Sequence, residues 1–100
     1  MDKRALKNAL ISLGLTDHES QVYVELVFLG TSTSGPLIKK TGLHRNVVYT
    51  SLEHLIEKKY VLETQIRGKK QFSVADPSVI AQEFEEKQRI ATEIARAVSS

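Results

Sequence analysis

Apolar residues recur at helical spacing along residues 3–58 and at alternate positions along residues 61–74. Leu6, Leu10 and Leu13 fall at i, i+4 and i+7 with polar residues between them, which predicts a helix over residues 3–13. Gly14 follows where helices commonly stop. Thr16 and Glu19 form a T-x-x-E capping box, in which each side chain accepts from the other's backbone amide, so a second helix is expected from there to Leu29. Asp17 and Glu19 in its first turn suit the helix dipole. Val22, Leu26 and Leu29 mark its core stripe. Tyr23, Val27 and Phe28 widen that stripe, so burial on more than one side is expected.

Thr31 to Pro36 is a polar start signal after Gly30. Thr33 or Ser34 is expected to cap, and Pro36 suits a first turn whose amides lack intrahelical partners. The third helix is predicted from Ser34 to about Thr41, with Gly42 ending it. A fourth runs from about Arg45 to Lys58, with Val48, Leu52 and Leu55 on one face and Lys58 and Lys59 at its negative end. The period then changes to two. Val61–Ile66 and Lys70–Val74 read as strands joined by Arg67-Gly68, a hairpin with a cationic tip. Asp76 as cap and Pro77 as first residue open a last helix to about Val98. Its Ile80, Phe84, Lys87, Ala91, Ile94 and Val98 follow a 4-3-4-3-4 spacing, the seam of a coiled coil.

The expected fold is therefore mainly α with a β-hairpin. A winged helix-turn-helix occupies residues 1–76, and a coiled-coil-like C-terminal helix for dimerisation occupies residues 77–100.

Composition narrows the function. With no cysteine in 100 residues, disulfides, thiolate metal sites and thiol-based sensing are excluded. No segment approaches the ~20 apolar residues of a membrane span. The charged start Met1-Asp2-Lys3-Arg4 lacks the apolar core of a secretion signal, so a cytoplasmic location is expected. Charge is uneven: residues 1–36 carry net −1, residues 37–70 net +5 and residues 71–100 net −2. A basic middle between acidic ends is a footprint for a polyanion.

The helix-turn-helix gives that footprint a geometry. An α-helix fits the ~12 Å major groove of DNA with its first turns facing base edges. With Val48, Leu52 and Leu55 turned inward, Asn46 and Thr50 point about 160° away from the core. Val47 and Tyr49 flank them, and Arg45 and His44 stand at the tip. Asn pairs with adenine through two hydrogen bonds, Arg with guanine or a phosphate, and the Val47 methyls suit a thymine methyl. Arg67, Lys69 and Lys70 on the wing suit phosphates or the minor groove. As surface residues, the same lysines would guard a hairpin edge against aggregation. Thr33 or Ser34 presents a helix N-terminus to a phosphate. The role of Lys39 and Lys40 stays open. His18, His44 and His54 have no metal-ligand spacing, and no nucleophile–base pair or phosphate-binding glycine loop is visible. Neither an enzyme, a cofactor, a metal nor a small-molecule effector site is expected.

Four stretches together carry a family resemblance: Leu13-Gly-Leu-Thr-Asp-His-Glu-Ser-Gln-Val-Tyr, Leu29-Gly, Thr41-Gly-Leu-His-Arg-Asn-Val-Val-Tyr-Thr-Ser-Leu and Leu55-Ile-Glu-Lys-Lys-Tyr-Val. They resemble the DNA-binding domain of TrmB-like transcriptional regulators over about residues 6–75. The resemblance implies a winged helix-turn-helix, usually dimeric, that represses or activates transcription. It places Arg45, Asn46, Val47 and Tyr49 in the recognition-helix motif and Arg67, Lys69 and Lys70 on the basic wing. Three positions depart from the pattern. His44 stands for a proline, Val47 for a commonly basic residue, and Lys59 for the glycine that ends the helix. Larger members carry a sugar-binding domain after the last helix; these 100 residues hold none, so no sugar response is assigned to them. The expected function is sequence-specific binding of double-stranded DNA at a palindromic operator by a homodimer. The alternative is a winged-helix adaptor that binds protein and not DNA.

Overall fold

The computed structural model describes all of residues 1–100. Its elements run α1 (Lys3–Ser12), α2 (Asp17–Leu29), α3 (Ser34–Thr41), α4 (Arg45–Glu57), β1 (Val61–Ile66), β2 (Lys69–Val74) and α5 (Ser78–Ser99). This is the winged helix-turn-helix order read from the sequence, mainly α with one hairpin.

Helix starts follow from side chains that satisfy the first free amides. Asp2 Oδ1 accepts from the Ala5 N–H at 2.8 Å. Thr16 Oγ1 accepts from the Glu19 N–H at 3.1 Å, and Glu19 Oε1 from the Thr16 N–H at 3.0 Å, so the capping box is closed. At α3 the structure differs from the expected cap. Thr33 is the N-cap residue, yet neither its side chain nor that of Ser34 caps. Pro36 has no amide to satisfy, and the Ser34 hydroxyl lies 2.9 Å from the Tyr49 hydroxyl instead. α5 begins one residue beyond the predicted start. Pro77 already has helical angles, and Asp76 Oδ1 accepts from the Ser78 N–H at 3.0 Å.

The end of α4 keeps a glycine-type geometry without a glycine. Lys59 takes φ 68°, the Lys59 N–H donates to Ile56 O at 2.9 Å and the Tyr60 N–H to Leu55 O at 2.9 Å. That is a Schellman motif with lysine in the left-handed position. The departure at Lys59 therefore changes the residue and not the cap.

The strands pair antiparallel from Val61↔Val74 to Ile66↔Lys69, which leaves Arg67-Gly68 as a two-residue turn. Both turn residues have positive φ, 53° and 77°, as a type I′ turn requires. Ser32 adds a one-residue third strand, exchanging both backbone hydrogen bonds with Phe72 at 2.9 and 2.7 Å. This bridge ties the base of the hairpin to the entrance of α3, and no periodicity signals it.

α2 is the centre of the core. Val22, Leu26, Leu37, Val48 and Leu55 are fully buried, joined by Tyr23 and Val24. The broad face of α2 thus includes Val24, whereas Phe28 is 54% exposed beneath the Lys3 ammonium. Ser20 is also fully buried, and its hydroxyl has no partner. The Tyr23 and Tyr60 rings meet edge to face with centroids 6.5 Å apart. Tyr60 in turn donates its hydroxyl to the Glu83 carboxylate on α5.

Only the first turns of α5 touch the domain. Val79 and Ile80 pack against the core. From Glu85 onward every residue of the helix is exposed, and the chain measures 56 × 28 × 24 Å overall. No helix is long and apolar enough to cross a membrane.

Candidate nucleic-acid interface

α4 positions its outward residues by burying the opposite face. Val48, Ser51, Leu52 and Leu55 are buried, while Arg45, Asn46 and Thr50 are exposed and Val47 and Tyr49 half-buried. His44 caps the helix with its ring, Nδ1 accepting from the Asn46 N–H at 3.1 Å. The histidine that stands for the usual proline thus performs a capping role, and its other ring nitrogen has no partner within the chain.

Arg45 folds back over Tyr49, its guanidinium 5.4 Å from the ring centroid and Nη2 3.4 Å from the hydroxyl. The Tyr49 hydroxyl is shared with Ser34 of α3. The Ser34 hydrogen bond and the neighbouring Arg45 hold this phenol below its ordinary titration range. One hydroxyl therefore links the tip of α4, the first turn of α3 and a cation.

Two depressions border α4. The first, about 330 Å³, is lined by Thr33, Ser34, Gly35, Tyr49, Phe72 and the wing residues Lys69 and Lys70. It brings residues from α3, α4 and the wing onto one surface. The second, about 350 Å³, lies along the other flank and is lined by Asn46, Val47 and Thr50 with Thr16, His18, Ser51 and His54. Arg67 stands apart at the hairpin tip and lines neither. Lys69 and Lys70 are exposed, with Lys70 Nζ 3.8 Å from Glu63 Oε1.

Sequence reasoning leaves out the support beneath the second depression. Glu19 is buried, and its Oε2 lies 3.0 Å from Nδ1 of His54 on α4. Its Oε1 lies 3.8 Å from Lys58 Nζ. The capping box gives one partner of Glu19, but nothing in the spacing points to His54, 35 residues away. No three His, Asp or Glu side chains converge in a manner that could hold a metal ion.

On α5, Ile80 of the expected seam packs on its own domain and Phe84 is half-buried, with Lys87 Nζ 4.8 Å from its ring centroid. Ala91, Ile94 and Val98 are exposed. Ile90, which the heptad count omits, is 43% exposed and lies about 40° around the helix from Ile94.

Comparison with known proteins places this architecture. The family model described as sugar-specific transcriptional regulator TrmB matches residues 10–78. The structure superposes on TrmBL2, an archaeal chromatin protein that binds DNA, with TM-score 0.82 and 22% identity, covering 99% of this chain. The chain spans 38% of the length of that protein. A protein from the thermoacidophilic archaeon Sulfolobus tokodaii matches over the whole of both chains with TM-score 0.67 and 20% identity. A homodimeric winged helix-turn-helix DNA-binding domain from Mycobacterium bovis matches with TM-score 0.57 and 17% identity, covering 96% of this chain and 84% of that one. No curated protein sequence matches the chain.

Proposed function

This chain belongs to the TrmB family of transcriptional regulators, and we propose that it reads a specific double-stranded DNA sequence as a homodimer. α4 enters the major groove, where Arg45, Asn46, Val47 and Thr50 meet base edges and Tyr49 and His44 reach the flanking backbone. Thr33 and Ser34 offer the N-terminus of α3 to a phosphate. Arg67, Lys69 and Lys70 neutralise phosphates beyond the groove edge. The observation that carries this reading is the surface shared by Ser34, Tyr49, Lys69 and Lys70. It lets one duplex touch the helix and the wing together.

The dimer rests on α5. The exposed run of α5, residues 85–99, is about the length at which an isolated helix is marginal in water, and it carries the exposed stripe of Ile90, Ile94 and Val98 away from the domain. Pairing two such stripes about a two-fold axis presents two α4 helices to major grooves ~34 Å apart, which suits a palindromic operator.

A promoter duplex titrated with the protein at two salt concentrations tests the proposal. Affinity should fall steeply as salt rises, because each neutralised phosphate releases condensed counterions. A flat salt response removes the phosphate contacts. Recovery of a protein partner together with no binding to any genomic fragment would establish the adaptor role instead.

A further inference from the structure

Lys3, Arg4 and Lys7 on α1 and Lys40 on α3 converge on one cleft of about 290 Å³ between α1, α2 and α3. Three of these cations stand in the first two turns of α1, whose first turn holds no acidic residue. The positive end of the helix dipole disfavours cations there, so their position does not serve the helix. Lys3 is held at 3.1 Å by Glu25, which also lines the cleft, and Lys7 by Asp17 at 3.0 Å. Arg4 and Lys40 form no ion pair, and they line the cleft from helices distant in sequence. Like charges gathered around a concavity raise its potential and concentrate anions.

We propose that this cleft binds a phosphate group. Arg4 supplies the planar fork that matches two phosphate oxygens, and Lys40 a compact charge from the facing helix. Two sources carry that chemistry: the backbone of the duplex held by α4, which rests on the DNA-binding reading above, and a free phosphorylated small molecule, which does not. The placement favours the backbone. Lys40 sits six residues beyond Ser34 on α3, about 9 Å along the helix axis. The wing-side depression and this cleft therefore lie toward opposite ends of one short helix.

The double variant Arg4→Gln/Lys40→Gln of the whole chain tests the site. Both positions are exposed, so the melting temperature should not change. If the duplex supplies the phosphate, the slope of log affinity against log salt becomes shallower by about 2 for the homodimer, one phosphate for each protomer, with sequence preference retained. If a free ligand supplies it, inorganic phosphate shifts the NMR resonances of Arg4 and Lys40 in the parent protein and not elsewhere, while the DNA salt slope is the same in both proteins. The proposal is overturned if neither the slope nor these resonances respond. Should the parent protein bind no duplex at all, the phosphate titration still decides the cleft, so the two readings fail separately.

Discussion

Glu19 Oε2 on α2 sits 3.0 Å from His54 Nδ1 on α4, which joins the capping box of one helix to the helix that carries Arg45 and Asn46. Burial alone pushes the Glu19 carboxyl up. The Thr16 amide, His54 and Lys58 together outweigh that and hold it below the ordinary glutamate range. A group whose folded pKa is depressed stabilises the protein above its unfolded pKa, and that stability is lost as pH falls through the folded value.

Glu19→Gln should therefore destabilise the domain by about 1–3 kcal/mol at pH 7, because the Thr16 amide, His54 and Lys58 lose the charge of a buried acceptor. The gap to the parent protein should close as pH falls below about 4.3. Urea unfolding at pH 7 and at pH 3.5 measures both. A gap that stays constant across that range removes the electrostatic account.

Arg45 and Tyr49 are expected to act as a pair on DNA. Arg45→Ala should weaken operator binding by ~1–3 kcal/mol if Arg45 reads a base. Tyr49→Phe removes only the hydroxyl shared with Ser34 and Arg45, so its effect should be smaller. The double variant should show a coupling of at least ~0.5 kcal/mol by titration. Simple additivity would mean that Tyr49 does not orient the arginine.

Lys59→Gly should stabilise the domain by about 1 kcal/mol. A non-glycine residue in the left-handed region costs roughly 1–2 kcal/mol, part of which is offset by glycine's greater unfolded freedom. For a chain of this size that raises the melting temperature by about 4–8 °C. A lower melting temperature would show that the lysine side chain contributes more than its backbone strain costs.

Ile94→Lys should leave the fold of residues 10–78 intact and abolish self-association. Light scattering then gives a monomer mass at concentrations where the parent protein is dimeric. Binding to a palindromic duplex should weaken by at least ~10-fold, because the second half-site loses its high effective concentration. A variant that stays dimeric would move the interface away from this stripe.

Most of the fold was legible because its signals are local. The capping box at Thr16–Glu19, the glycines after α1, α2 and α3, and the change of period near Tyr60 each fix an element within a few residues. What the sequence hid depends on partners far along the chain. The Ser32–Phe72 bridge, the Glu19–His54 pair and the contact of Tyr60 with Glu83 join segments 40, 35 and 23 residues apart, and periodicity carries no information about such meetings. The cap at Ser34 failed for the same reason, since its hydroxyl is engaged by Tyr49 on the next helix. The outward face of α4 was legible from three buried positions, Val48, Leu52 and Leu55, whose inward direction leaves only one side free.

The 22 residues of α5 extend for about 33 Å from a foothold made by Ile80 and the Tyr60–Glu83 contact. The 15 residues beyond Phe84 are a lever with its fulcrum at that foothold. A tilt of about 10° there sweeps the distant end through roughly 4 Å. A small change in packing at that foothold is thereby magnified at the far end, where Ile94 and Val98 lie exposed.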